Sequence, residues 1–455
     1  MTPGSDVAPG LDTDALLDDP EIRIIVCCGS GGVGKTTTAA ALGVRAAERG
    51  RKAVVLTIDP ARRLAQSMGI DQLDNVPRRV EDIDGEGGGE LHAMMLDMKR
   101  TFDETVEAHT DAARARAILE NPFYQSLSAG FAGTQEYMAM EKLGQLRARD
   151  EWDLIIVDTP PSRSALDFLD APKRLGSFLD GKFIRLLVAP AKIGGRAGMK
   201  FLNVGMSMMT GTLGKLLGGQ FLRDVQTFVT AMDSMFGGFR TRADATYKLL
   251  QAPGTAFLVV ATPERDALRE AAYFVERLAA EEMPLAGLVL NRVHGSEASR
   301  LTAERALAAA ENLEDSGIVD QSTGQAALSD PADPKGASPE ARDTPLPPDD
   351  HDKPHAPHAS HEPHASHTHE PDEQNEPHTP HSVEQLTAGL LRLHAERMQV
   401  VAREERTRDR FTTLHPEVAV TEVAALPGDV HDLAGLRAIG DRLAAGSVSA
   451  PAGAA

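Results

Sequence analysis

The sequence predicts an α/β fold, a mostly parallel β-sheet with helices on both faces and an α-helical insertion subdomain. Three observations predict it. Short, almost wholly apolar segments alternate with helical stretches, which is typical of a parallel sheet covered on both faces. A glycine-rich loop directly follows the first apolar segment. Polar residues stand where these segments end, and ligands of such sheets bind at the carboxyl ends of the strands.

Five segments are predicted to be strands of this sheet. They are residues 22–27, 53–58, 154–157, 256–261 and 285–290. A helix with an apolar face is predicted between the first two, ending at Gly50. Two later helices, 383–410 and 433–443, are predicted to cover the sheet. The single tryptophan, Trp152, precedes the third strand and is predicted to anchor packing.

The glycine-rich loop has the sequence of a phosphate-binding loop (P-loop). It comprises Gly29, Ser30, Gly31, Gly32, Val33, Gly34, Lys35, Thr36 and Thr37. The backbone amides of such a loop surround phosphate oxygens, its lysine adds charge at the outer phosphates, and its first threonine ligates Mg²⁺. A chance glycine-rich turn would not need the strand before it and the helix after it. The context therefore predicts a P-loop NTPase fold.

Two carboxylates at strand ends extend the predicted site. Asp158 closes the apolar segment 154–157, which is the Walker B pattern of a carboxylate that holds Mg²⁺ directly or through water. Asp59 follows the segment 53–58, where it would orient the attacking water and lie near the metal. Asp59 would also suit the N-cap of a helix starting near Ala61, and both roles are compatible.

These motifs resemble the ArsA/Get family, the arsenite-pump and tail-anchored-protein-targeting ATPases of the deviant Walker A class. Switch I is matched by 59–61 and switch II by 158–162, while Asn291 resembles the residue that reads adenine. The segment 426–430 resembles the late loop that packs on the base. The similarity spans about 22–445 and is greatest to an actinobacterial branch encoded as neighbouring pairs, described as anion-transporting ATPases.

The resemblance implies a Mg-ATP-dependent ATPase that works as a nucleotide-switched dimer. Its cofactors would be ATP and Mg²⁺, and it would act in membrane-protein handling or in transport. Catalysis is assigned to Asp59 and Lys35, and metal binding to Thr36, Asp59 and Asp158. Besides residues 29–37, the nucleotide would contact Asn291, Pro427 and Asp429. The partner would be a second copy or a paralogous ATPase, with a membrane-protein client or a membrane partner.

Ser30 departs from the family pattern. The class normally has a lysine there, which reaches across the dimer to the partner's nucleotide, and serine supplies no charge. Loss of such a cation would slow turnover by several orders of magnitude, judged by arginine fingers worth about 10³–10⁵. Arg62, Arg63 or Arg163 would be substitutes. Alternatively, the chain is a catalytically weak regulatory subunit of a heterodimer with a paralogue that keeps its lysine.

The cysteine content excludes the family's metal chemistries. Cys27 and Cys28 are the only cysteines, and they lie in the strand before the P-loop. Arsenite binding and a shared Cys-x-x-Cys zinc site both need thiolates elsewhere. The sequence therefore disfavours arsenite transport by the cysteine mechanism. The absence of a disulfide framework fits a reducing cytoplasm.

Residues 173–251 interrupt the α/β alternation and are predicted to form the helical insertion. An apolar stripe recurs there at spacings of three and four: Leu213, Leu217, Phe221, Val225, Phe228, Met232 and Met235. In targeting factors the corresponding insertion forms a groove for a transmembrane segment, and methionine suits such a surface. The alternative is that the stripe packs a core.

The remaining chain is predicted to include three disordered parts: 1–20, a His-, Pro- and acid-rich insertion at 330–382, and a tail at 446–455. Too few apolar residues are present in 330–382 to offset the entropy of ordering it. Its histidines, nine of the 15 in the chain, are a candidate transition-metal tether or part of a solvated linker. The domain itself would span 21–445.

The composition of the chain limits the kinds of partner that it is expected to bind. The formal net charge of −20 argues against nucleic acid, which favours a basic surface. The sequence lacks a basic-apolar leader pattern at its start and any run near the ~18 apolar residues that span a bilayer. We therefore expect a cytoplasmic protein that reaches a membrane through a partner.

Overall fold

The computed structural model describes residues 9–58, 63–83, 87–127, 135–160, 219–322 and 383–445. Several predictions lie outside these residues. They concern Asp59 with the switch I segment, the candidate cations Arg62 and Arg163, insertion residues 173–218, the His-rich segment 330–382 and the tail 446–455.

A single β-sheet forms the centre of the described fold. Its eight described strands are β1 (Ile24–Cys28), β2 (Lys52–Thr57), β3 (Arg78–Arg79), β4 (Glu90–Met95), β5 (Leu154–Asp158), β6 (Thr255–Ala261), β7 (Leu285–Val293) and β8 (Val420–Ala424). Their order is β3-β4-β2-β5-β1-β6-β7-β8, and only the β3–β4 pair is antiparallel. The predicted mostly parallel α/β fold is confirmed.

Helices accompany the strands in sequence order. The described ones are α1 (Thr13–Asp18), α2 (Lys35–Glu48), α3 (Arg63–Ser67), α4 (Met98–His109), α5 (Ala112–Leu119), α6 (Pro122–Leu127), α7 (Gln135–Arg149), α8 (Gly219–Gln251), α9 (Arg265–Ala280), α10 (Ala303–Ser322), α11 (Val383–Leu414) and α12 (Leu433–Ala445). None of the helices in the described ranges is long and apolar enough to cross a membrane.

Both faces of the sheet are buried, because successive side chains of β1 point to opposite sides. Ile24 and Val26 pack in one apolar cluster with residues of α7, α8 and α9. Ile25 and Cys27 pack in a second cluster with residues of α2 and α12. Burial on both faces explains why the predicted strands read as continuous apolar runs.

The five predicted strands are found within two residues of their expected ends, except that β7 continues three residues further, to Val293. The structure adds β3, β4 and β8, which apolar runs did not reveal. β4 pairs in parallel with β2, and its sequence mixes Glu90 and His92 with apolar residues. β8 alternates buried and half-buried residues along its length, so no apolar run marks it.

The prediction that residues 1–20 are disordered is wrong for residues 9–20. Gly10 bridges to Val420 at the edge of the sheet, and α1 follows with Asp12 as its N-cap. Leu17 is fully buried in the cluster that contains α2. The acidic residues that suggested a solvated tail pair with α2 instead, since Arg45 donates to Asp14 at 2.8 Å and Arg49 donates to Asp18.

The described part of the predicted insertion, residues 219–251, is the long helix α8. Met232 and Met235 are buried, and Phe228 packs against the same apolar cluster as α7 and α9. Phe228 also lies 5.5 Å from Phe123 between ring centroids. This part of the stripe therefore packs a core, as the alternative interpretation held, and the other four stripe residues lie outside the described side chains.

Contacts divide the chain into two compact units. The larger comprises residues 1–297 and 398–455 and holds the sheet with the P-loop. The smaller comprises 298–397, in which His394 Nε2 lies 2.7 Å from the Leu301 carbonyl oxygen and Arg392 pairs with Glu314 at 2.6 Å. Trp152, in the larger unit, is buried against the ring of His92 at 4.7 Å, which confirms its packing role.

Candidate functional site

The P-loop joins β1 to α2 at the carboxyl edge of the parallel strands. Gly32 and Gly34 have φ of +78° and +98°, values that residues with a Cβ atom rarely adopt. Gly34 is the N-cap of α2, so Lys35 and Thr36 occupy the first turn of that helix. The backbone amides and the dipole at this helix start favour an anion.

Two glycines of the loop also lie against neighbouring strands. A Cβ on Gly29 would lie 2.1 Å from the carbonyl oxygen of Val260, and one on Gly34 would lie 2.2 Å from Nδ2 of Asn291. Neither separation is possible for real atoms. The loop is therefore specified by close approach to β6 and β7 as well as by its own conformation.

Lys35 bends over the loop that precedes it. Its Nζ donates to the carbonyl oxygen of Ser30 at 2.7 Å, and the residue is buried. This contact holds the ammonium group beside the loop amides, where it would meet the outer phosphates of a nucleotide. Ser30 itself is half-buried.

Asp158 is joined to the P-loop by hydroxyl groups. Thr36 Oγ1 and Thr57 Oγ1 donate to Asp158 Oδ2 at 2.7 Å and 2.9 Å, and the carboxylate is fully buried. The carboxylate and the Thr36 hydroxyl are hard oxygen donors of the kind that Mg²⁺ takes. These residues fit a Mg²⁺ site. Sequence reasoning missed Thr57, although its place one residue before the end of the predicted strand 53–58 was visible.

The two cysteines of β1, the strand before the P-loop, are buried and unreactive. Thr159, directly after Asp158, donates from Oγ1 to the Cys27 carbonyl oxygen at 2.9 Å and ties the end of β5 to β1. Cys27 and Cys28 are buried and free. Burial raises the pKa of the Cys28 thiol to about 12 and that of Cys27 well above its ordinary value. These thiols are poor metal ligands and poor nucleophiles.

Asn291 is buried and contacts the P-loop directly. Its Nδ2 donates to the Val33 carbonyl oxygen at 2.8 Å, and its Oδ1 accepts from the Arg292 amide at 2.9 Å. The sequence indicated that Asn291 was a site residue but did not reveal this contact between β7 and the loop. Its predicted role toward adenine stays a prediction.

Pro427 and Asp429 are exposed in the segment that follows β8. This segment leaves the same edge of the sheet as Asn291, because β8 pairs in parallel with β7 and Val423 is opposite Asn291. Leu426 and Val430, on either side of the pair, pack against the cluster that contains α2. The predicted contact of Pro427 and Asp429 with the nucleotide stays a prediction as well.

A cleft of about 360 Å³ lies against the P-loop on the side of α9. Ser30, Gly31 and Gly32 line it, together with Glu264, Glu270 and Arg292 among others. The sequence had indicated that polar residues stand where the apolar segments end, as Thr262 and Glu264 do after the segment 256–261. It did not predict that Arg292, from β7, shares a cleft with Ser30.

A glycine loop between a buried strand and a helix, with a lysine and a carboxylate–threonine contact at its mouth, defines a P-loop nucleotide-binding protein. The sequence model of the anion-transporting ATPase family, ArsA, matches residues 22–315. The chain belongs to this family. The resemblance that the motifs predicted is confirmed.

Two of the three relatives described next carry ATPase names. The chain is 26% identical over 286 residues to the ATPase ASNA1 homolog 2 of Paramecium tetraurelia, covering 61% of this chain and 78% of the relative. It is 30% identical over 160 residues to ATPase GET3 of Malassezia globosa, covering 35% and 45%. Protein Rv2184c of Mycobacterium tuberculosis is 31% identical over 173 residues, covering 35% and 40%. The chain thus matches under half of the length of the latter two.

Proposed function

We propose that this chain binds Mg-ATP and hydrolyses it to ADP and phosphate. The observation that carries the proposal is the contact of Thr36 with the buried carboxylate of Asp158 beside Lys35. Phosphoryl transfer depends on positioning and charge neutralisation, so this group supplies most of what the reaction needs. Family membership supports the same activity.

Each residue has a distinct part in the proposed reaction. The loop amides of residues 29–34 and Lys35 hold the phosphates, and Thr36 and Asp158 would hold Mg²⁺, which would offset charge on the phosphates. Asp59 would orient the attacking water and contact the metal's shell. Asn291 would read adenine, and Pro427 and Asp429 would pack on the base.

Nucleotide binding by the chain alone tests the proposal. Calorimetry should show Mg-dependent ATP binding, and Lys35→Ala should weaken it because the ammonium group beside the loop is lost. Lys248→Ala, which removes an exposed lysine of α8, is the matched control. If wild type and the Lys248→Ala variant take up no nucleotide at saturating Mg-ATP, the proposal is wrong.

We further propose that the chain works as a dimer that ATP closes and hydrolysis releases. The resemblance to targeting and transport ATPases supports service to a membrane protein, with ATP-dependent capture of a client or membrane partner. An Asp59→Asn variant, expected to bind ATP and hydrolyse it slowly, should enrich such a partner over Lys35→Ala in a pull-down. Equal recovery by both variants would remove this part of the proposal.

Ser30 favours a second candidate, a catalytically weak regulatory subunit of a heterodimer with a paralogue. Here the chain would bind ATP but turn it over slowly by itself. Steady-state turnover separates the candidates: robust hydrolysis by the isolated chain excludes the regulatory subunit. Slow hydrolysis that rises in Ser30→Lys, or on adding the paralogue, would support it.

A further inference from the structure

Arg292 has a backbone conformation that residues with side chains seldom adopt. Its φ is +60°, in the left-handed region, although it stands inside β7. The pairing of β7 with β8 shifts register between Asn291 and Val293, so Arg292 is the extra residue of a bulge. Bulges beside active sites redirect a side chain, and strained residues concentrate at functional sites.

The bulge is tied to the P-loop. The Arg292 amide donates to Asn291 Oδ1 at 2.9 Å, while Asn291 Nδ2 donates to the Val33 carbonyl oxygen at 2.8 Å. One buried amide thus accepts from the bulge and donates to the loop. The position of Arg292 is therefore set by the loop that would hold the phosphates.

The side of the loop that Arg292 faces is where Ser30 lies. Both residues line the same cleft, together with Gly31 and Gly32. Arg292 is exposed, and its guanidinium forms no ion pair with any residue in the described ranges. Glu264 and Glu270 line the cleft as well, so a cation there offsets negative charge that would otherwise repel a nucleotide.

We propose that Arg292 is a catalytic residue that supplies, from the β7 bulge, the phosphate-directed positive charge that Ser30 does not provide. This inference rests on the proposed ATPase function. A guanidinium suits the role because its planar donors match phosphate oxygens and it stays charged at every physiological pH. The nucleotide would belong to the same chain or to a second copy.

A planar phosphate mimic tests the role without requiring turnover. ADP with aluminium fluoride should bind wild type at least 10-fold more tightly than ADP alone, and Arg292→Ala should abolish most of that gain while changing ADP affinity less than about 3-fold. In turnover, the same variant should lower kcat by 10²-fold or more with little change in KM.

Three further variants test whether the effect of Arg292→Ala comes from the loss of its positive charge. Arg292→Lys should recover part of the gain, and Ser30→Lys in the Arg292→Ala background should recover it if the two positions serve one charge. Arg240→Ala, which removes an exposed arginine of α8 away from the cleft, should behave as wild type. Thermal unfolding of each variant shows that it is folded.

The outcomes separate this inference from the proposed function. A wild-type chain that binds no ADP or ATP contradicts the ATPase proposal itself. The role of Arg292 alone is overturned by either of two results in a chain that binds ADP. In the first, aluminium fluoride gives no gain in affinity; in the second, Arg292→Ala keeps the whole gain.

Mixing two inactive variants identifies which nucleotide Arg292 serves. Lys35→Ala keeps Arg292 but should bind nucleotide weakly, whereas Arg292→Ala should bind nucleotide without supplying the cation. Recovery of the fluoride-dependent gain on mixing supports action on a second copy's nucleotide. If each variant alone lacks the gain in affinity from aluminium fluoride and mixing does not restore it, Arg292 acts on the nucleotide of its own chain.

Discussion

Residues of the P-loop are limited by space as much as by conformation. Gly34 combines a left-handed backbone with contact to Asn291, and Gly29 lies against the backbone of Val260. Backbone atoms of a central strand cannot move aside as a flexible side chain can. The loop and the sheet are therefore built together, and changes in either should be felt in phosphate binding.

The first prediction concerns Gly34. Gly34→Ala should destabilise the chain by about 1–3 kcal/mol and lower ATP affinity, since the new methyl group meets Asn291 and φ stays unfavourable. Denaturant unfolding and calorimetry measure the two effects. The matched control is Gly237→Ala in α8, where a Cβ meets nothing within 4 Å and about 0.5–1 kcal/mol should be gained. Equal stability of both variants would contradict the prediction.

The second prediction concerns the imidazole of His92 in β4. Partial burial lowers its pKa below the ordinary value of 6.5, with a smaller opposing effect from Glu90. The unfolded chain therefore binds a proton at a higher pH than the folded chain does. This contribution to stability is complete above pH 6.5 and is lost as pH falls from there through the lowered folded pKa.

We therefore expect His92→Phe to reduce the loss of unfolding free energy between pH 7.5 and pH 5. Denaturant titrations of wild type and variant at both pH values give the difference. His431→Phe replaces an exposed histidine and should keep the wild-type dependence. An unchanged pH dependence in His92→Phe would show that burial does not govern this titration.

At the scale of elements, α1 shows how a polar-looking segment is recruited to the fold. Composition alone suggested disorder before residue 20, because acidic and small residues dominate it. Leu17 nevertheless fills the cluster around α2, and two aspartates pair with arginines one turn apart on α2. The partners lie about thirty residues away in sequence, so local composition could not reveal them.

The third prediction follows from this docking. Leu17→Ala should lower the unfolding free energy by about 2–5 kcal/mol, because a fully buried side chain leaves a cavity. The control is Leu393→Ala on α11, whose side chain is 63% exposed and whose loss should cost within about 0.5 kcal/mol. Comparable small effects in chemical denaturation would contradict the docking of α1.

Prediction of elements succeeded where one local signal was enough. The apolar runs revealed five strands, and Gly50 marked the end of α2, where it takes φ +94°. β4 and β8 were missed because edge or mixed strands carry alternating rather than continuous apolar residues. The stripe on α8 could not be assigned from spacing, since core packing and a client groove require the same pattern.

At the scale of the whole molecule, binding of a nucleotide should act on stability as well as on chemistry. The P-loop joins β1 and α2 and contacts β6 and β7, so a ligand there would bridge the centre of the sheet. A ligand that binds only the folded chain stabilises it by about 2.7 kcal/mol at a hundred times its Kd.

The fourth prediction is that saturating Mg-ATP raises the thermal unfolding temperature and that excess EDTA reverses most of the rise. The reason is that Thr36 and Asp158 would hold the phosphates through Mg²⁺. Asp158→Asn should show a smaller metal-dependent rise than Asp153→Asn, which changes an exposed carboxylate before β5. A rise that EDTA leaves intact in wild type would contradict metal-assisted binding.

The fold class, the P-loop and the grouping of Lys35, Thr36 and Asp158 in one site could be predicted from the sequence alone, because each depends on a short local pattern at a strand end. The tertiary structure was needed to show that Asn291 donates to Val33, that Thr57 shares Asp158 and that Arg292 lines a cleft with Ser30. These contacts join residues 101 to more than 250 positions apart. They exist because parallel strands distant in sequence end at one edge of the sheet, which no local pattern encodes.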